Sequence, residues 1–105
     1  MNNTIAEISI VPLGTGSTSL SQYVADLEKV LKKYNDLKSE LTPMSTVVEG
    51  NLDRILEAVR EMHETPFLNG AFRVSTRITI DDRRDKEASM DAKIDSVRTK
   101  MRVTG

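Results

Sequence analysis

Cysteine is missing from this 105-residue chain, which removes disulfides, thiol catalysis and thiolate metal sites from consideration. Histidine is nearly missing. His63 stands alone near a helix end, where a cation suits the C-terminal dipole, and without further His or Cys it cannot form a conventional zinc or iron site. Charge of one sign is also lacking: 15 basic and 16 acidic residues leave a net charge of -1, which gives no electrostatic case for nucleic acid or an anionic membrane. No apolar run is long enough to span a bilayer. The best, Ile8 to Leu13, is a strand's length and follows Glu7, so no leader is expected at this N-terminus and a cytoplasmic address is the default. No Ser/His/Asp set or clustered acid pair is visible, and a non-catalytic protein without metal or cofactor is expected. Gly14-Thr15-Gly16-Ser17-Thr18-Ser19 precedes a helix, but it lacks the Gly-Lys-Ser/Thr ending of a P-loop and is too short for a dinucleotide fingerprint. A capping loop explains it about as well as an anion cradle does.

What is present reads as one domain over residues 1–105, long enough for a single modest core. Ile5 to Leu13 predicts a strand, with Ile8 and Ile10 on one face and Glu7 and Ser9 on the other. Ser19 and Gln22 suit a capping box ahead of a helix striped by Leu20, Tyr23, Val24, Leu27, Val30, Leu31 and Tyr34, ended by Asn35-Asp36. Leu37 to Met44 and Thr46 to Glu49 predict two short strands, the first bent or at an edge because of Pro43. Asn51 suits the N-cap of a second helix striped by Leu52, Ile55, Leu56, Val59 and Met62, which should stop before Pro66. Phe72 to Ile80 is the clearest strand: Phe72, Val74, Thr76, Ile78 and Ile80 alternate with Arg73, Ser75, Arg77 and Thr79. The resulting β-α-β-β-α-β order predicts an α+β fold of the ferredoxin-like kind, a four-stranded antiparallel sheet with both helices on one face. Asp81 to Lys86 reads as a solvated charged turn, and Ala88 to Met101 as an additional C-terminal helix.

Two features exceed what one domain needs. The sheet's other face carries Glu7, Ser9, Val11, Leu13, Lys38, Glu40, Thr42, Met44, Arg73, Ser75, Arg77 and Thr79, and Val11, Leu13 and Met44 make one end of it apolar. Solvation alone would suit an antiparallel sheet, but the apolar end favours cover by a second sheet or subunit. In the last helix Met90, Ile94, Val97 and Met101 recur at steps of four, three and four, a narrow seam suited to packing on another subunit.

Longer stretches carry a family likeness. Ala6-Glu7-Ile8-Ser9-Ile10-Val11-Pro12-Leu13-Gly14-Thr15-Gly16 with Ser19, Ser21 and Tyr23-Val24 resembles the opening of the small thiamine-binding protein family, related to the YkoF-type thiamine/hydroxymethylpyrimidine-binding domains. The likeness continues through Leu41-Thr42-Pro43-Met44-Ser45-Thr46-Val47-Val48-Glu49-Gly50, His63-Glu64 and Phe67. It closes with Arg73-Val74-Ser75-Thr76-Arg77-Ile78 and Asp82-Arg83-Arg84-Asp85-Lys86. Ser45 departs from the glycine expected there in many relatives, and a changed turn would alter a neighbouring pocket. The resemblance implies a ferredoxin-like fold, sheet-to-sheet dimers and commonly a homotetramer, and binding of thiamine or its pyrimidine moiety without established catalysis.

An aminopyrimidine needs a carboxylate or carbonyl with hydroxyl or backbone donors nearby, and a thiazolium gains from a carboxylate or an aromatic face. Glu49 is therefore the expected charge-complementing acceptor, with Thr42, Thr46, Ser19 and Ser21 donating and Met44 in apolar contact. An ordinary edge-strand carboxylate explains Glu49 about equally well. Two other functions remain open at this stage: an oligomeric regulatory module for another metabolite, by fold analogy alone, and a ligand-free assembly protein.

Overall fold

The computed structural model describes residues 3–16, 20–85 and 89–104. The elements are β1 (Thr4–Pro12), α1 (Ser21–Leu31), β2 (Lys38–Leu41), β3 (Thr46–Gly50), α2 (Leu52–Leu68), β4 (Val74–Asp81) and α3 (Met90–Thr104). The four strands form one antiparallel sheet in the order β2-β3-β1-β4. Each of the β1–α1–β2 and β3–α2–β4 units skips one strand, which is the split βαβ connection of the ferredoxin-like fold.

Alternation along β1 sends Ala6, Ile8 and Ile10 into the core, where they meet Leu27 and Leu31 of α1, Val48 of β3, and Ile55, Ala58, Val59 and Met62 of α2. Both helices thus cover one face, as their stripes predict. Tyr34, just past α1, is also buried, and its hydroxyl donates to Glu61 Oε1 at 2.8 Å. Burial first, and then that carboxylate, push the phenol above its ordinary pKa. Arg54 grips Asp36 with two N–H donors, at 2.8 and 3.0 Å, and lies over the Tyr34 ring, fastening the turn after α1 to α2.

Several boundaries differ from expectation. Helix α1 starts at Ser21 with Leu20 at the cap position and no side-chain cap; Gln22 instead donates to Asp26 one turn on, so the predicted box with Ser19 is not formed by Gln22. Ser19 itself lies outside the described residues. Helix α1 ends at Leu31, and tightened turns at Lys33 and Tyr34 replace its last predicted turn. Strand β2 is only four residues, leaving Thr42, Pro43 and Met44 in the hairpin loop rather than on the sheet. Helix α2 runs through Pro66 to Leu68. The proline ring is fully buried, and Gly70, at φ +100°, ends the segment where left-handed backbone is needed. Burial of the ring offsets the missing N–H so near the helix end. Phe72 lies outside β4 and is 97% exposed, so that strand is shorter than its alternation suggests.

Facing pairs identify the sheet's second face. Lys38, Glu49, Ile5 and Asp81 stand in one row across it, and Glu40, Val47, Glu7 and Thr79 in the next. Glu49 and Val47 belong to this face, not Thr42 and Met44 as predicted. The first turn of α3 sits on it: Met90 is buried, its N–H donates to Glu49 Oε2 at 3.4 Å, and Asp91 pairs with Lys38 at 2.6 Å. Beyond that turn α3 exposes Ile94, Val97 and Met101 by 51, 58 and 66%. No helix among the described residues is long and apolar enough to cross a membrane.

Asn51 caps α2 as expected, its Oδ1 accepting from the N–H groups of Asp53 at 2.9 Å and Arg54 at 3.3 Å. Asn51→Ala should lower the unfolding free energy by about 1 kcal/mol, and Asn51→Asp should retain most of it. Urea denaturation, read at constant slope, is the measurement.

Candidate functional site

Strands β1 and β3 differ in length. They pair from Thr4–Gly50 to Ile8–Thr46, and β1 then continues to Pro12 with only β4 beside it. Where β3 would extend, the chain instead turns through the β2–β3 hairpin, and the first two turns of α1 lie across the gap. The space left is a cavity of about 610 Å³ lined by Ile8–Val11, by Leu20, Ser21, Tyr23, Val24, Ala25, Leu27 and Glu28, and by Leu41–Thr46. Its wall is mostly apolar with a few polar groups, the usual make-up of a small-molecule site.

Four of the six predicted ligand residues line this cavity: Ser21, Thr42, Met44 and Thr46. Ser19 falls outside the described residues. Glu49 does not line it. Successive strand residues point to opposite faces, so Glu49 lies on the face away from core-facing Thr46 and is held beneath α3. The two threonines differ from the expected free donors. Thr42 Oγ1 donates to Ser45 O at 2.8 Å and accepts from the N–H groups of Met44 and Ser45, so it shapes the hairpin. Thr46 Oγ1 donates to Glu28 Oε2 at 3.1 Å.

Glu28 is the cavity's carboxylate, and sequence reasoning passed over it. It stands four residues after Val24 and three before Leu31, at the border of the α1 stripe. That position was the available signal. Ser45, standing where glycine was expected, keeps a negative φ, since no described non-glycine residue has a positive one. Its hydroxyl donates to Glu7 Oε2 at 3.0 Å, which ties the hairpin to the open sheet face.

The remaining motifs resolve locally. His63 Nδ1 is 2.6 Å from Thr76 Oγ1, and its ring meets Phe67 edge-on at 5.6 Å. Arg83 pairs with Asp85 and Arg84 with Asp82 within the charged turn. Arg84 holds the Asp82 carboxyl below its ordinary pKa. Among the described residues no group of three or more His, Cys, Asp or Glu could hold a metal ion. A second, smaller cleft of about 280 Å³ lies between β2 and α3, lined by Glu40, Met90, Asp91, Ile94, Asp95 and Arg98.

Comparison with known proteins places this geometry in a family. The chain is 46% identical over 96 residues to the UPF0045 protein YqgV of Bacillus subtilis, covering 89% of this chain and 92% of that one. A UPF0045 protein of Methanocaldococcus jannaschii is likewise 46% identical, and a crystal structure of it superposes with a TM-score of 0.83 over 92% of this chain and 97% of that one. The fold is shared with a Thermotoga maritima protein proposed as a thiamine biosynthesis/salvage protein, at 20% identity and a TM-score of 0.74, over 90% of this chain and 98% of that one. The family described as "Thiamine-binding protein" matches residues 6–98, and the chain belongs to it.

Proposed function

We propose that this chain is a non-catalytic binding protein for thiamine or its hydroxymethylpyrimidine moiety, acting as carrier, buffer or sensor, and that its ligand enters the cavity between β1, α1 and the β2–β3 hairpin. The observation that carries the reading is Glu28, a carboxylate in a mostly apolar cavity of about 610 Å³, within a chain of the thiamine-binding family. A thiazolium cation is complemented by one negative group, and the attraction is worth more where apolar walls lower the local dielectric. Leu20, Val24 and Leu27 supply apolar surface for the rings, and Tyr23 an aromatic face. Thr46, also in the lining, donates to this carboxylate and holds its orientation.

Assembly belongs to the same proposal. The open sheet face presents Val11 and Val47 among Glu7, Ser9, Arg77 and Thr79, and α3 carries its exposed Ile94–Val97–Met101 seam outward. A homodimer through sheet faces, doubled to a tetramer with α3 as a further contact, would cover both. The sites would then lie near subunit joints, because Met44 in the cavity's lining remains exposed.

Two experiments test these readings. In titration calorimetry Glu28→Gln should weaken thiamine by about tenfold, roughly 1.4 kcal/mol, while Glu49→Gln leaves affinity unchanged. Equal binding by wild type and Glu28→Gln would remove Glu28 from the site. Ile94→Asp with Val97→Asp, both on exposed positions, should lower the subunit count seen by sedimentation; an unchanged count would exclude the α3 contact.

A further inference from the structure

The floor of the cavity contains a strand edge, and its direction can be worked out. Leu13 N–H donates to Arg73 O at 2.8 Å, directly across from it in register. In an antiparallel ladder this makes the odd-numbered residues of β1 the ones whose N–H and C=O point at β4, so the even-numbered ones point the other way, toward β3. Thr4, Ala6 and Ile8 accordingly face Gly50, Val48 and Thr46. Ile10 is the next in that series, and β3 has already ended. Its place in the register would face Met44, but Met44 is 86% exposed in a hairpin whose backbone bond runs from Thr42 N–H to Ser45 O. Pro12 agrees with this direction: an even-numbered residue here has no strand to donate to, so the missing N–H costs no ladder bond.

Both faces of β1 line the cavity at this point, Ile8 and Ile10 from one and Ser9 and Val11 from the other. The cavity therefore runs along the strand's rim, where main-chain groups are presented, and not only over its side chains. An extended residue presents its N–H and C=O side by side in one direction. That pair matches a planar heterocycle with an amino donor beside a ring-nitrogen acceptor. An added peptide strand does not fit, since the free edge offers one residue with both groups before Pro12 and is enclosed by α1 and the hairpin.

We propose that the main-chain N–H and C=O of Ile10 are the ligand-reading edge of this site, the N–H donating to a ring nitrogen and the C=O accepting from the adjacent amino group. This deepens the proposed thiamine reading and rests on it. Specificity for the aminopyrimidine then comes from backbone that no side-chain substitution alters, with Glu28 left to the cationic end of the ligand.

The test uses the full-length, ¹⁵N-labelled protein titrated with thiamine and with its 4-oxo analogue, in which a carbonyl replaces the amino group and the neighbouring ring nitrogen carries a proton. The analogue must turn over to satisfy Ile10, which moves the rest of the molecule out of place. With thiamine, the Ile10 amide resonance should move downfield more than that of Ile8, whose N–H is already held by β3. The analogue should bind at least about tenfold more weakly. Thiamine binding with an unmoved Ile10 amide, or equal affinity for both compounds, overturns this assignment and leaves the binding function standing. Neither heat nor shifts with thiamine overturns both.

Discussion

The nine residues of β1 lie beside only five of β3, and most of what is distinctive here depends on that inequality. Burial in the core fixes the register, because sliding β1 by one residue would turn Ala6, Ile8 and Ile10 out to the far face. With the register fixed, β1 has to outrun its neighbour, and the rim beyond Ile8 is left without a strand. Helix α1 and the β2–β3 hairpin can roof that rim but cannot pair with it. The cavity is thus a consequence of sheet geometry, and its walls are the residues that close the gap.

Much of the fold was legible in local pattern. The β1 alternation, the two helical stripes and the Asn51 cap each follow from short-range chemistry, and the element order followed from them. Pro66 and Phe72 were misplaced because each depends on its tertiary surroundings, burial for the first and exposure for the second. A fully buried proline ring holds the end of α2 together, while an aromatic side chain in strand-like alternation is left 97% exposed before β4 begins. Propensity rules do not see either packing environment.

The cavity was legible in part: Ser21, Thr42, Met44 and Thr46 line it, whereas Glu49 lies on the sheet's other face. Thr46 and Glu49 are three residues apart in one strand, so they point to opposite faces whatever the tertiary structure. That alternation is already contained in the sequence. Glu28 was harder to find, since its approach to Thr46 crosses from α1 to β3 and depends on how the helix lies over the rim. The helical stripe defines which face is buried, but a carboxylate at its border reads equally well as solvated.

With Glu49 removed from the cavity, its own environment becomes informative. It is a nearly buried carboxylate with Lys38 beside it in the ladder and the Met90 N–H at the start of α3 pointing to its Oε2. A negative group at a helix N-terminus is electrostatically favourable, and more so where solvent is partly excluded. Lys38–Asp91 and Lys93–Asp81 add ion pairs on either side. Exposed pairs of this kind contribute little individually, so the buried Met90 side chain and the Glu49 contact fix where α3 leaves the sheet. The sheet therefore separates two carboxylates in space: Glu49 contacts the start of α3 near one end of β1, and Glu28 lines the cavity near the other. The two faces are joined by the β1–β3 ladder and by the Ser45 hydroxyl, which reaches from the cavity's hairpin to Glu7 on the open face.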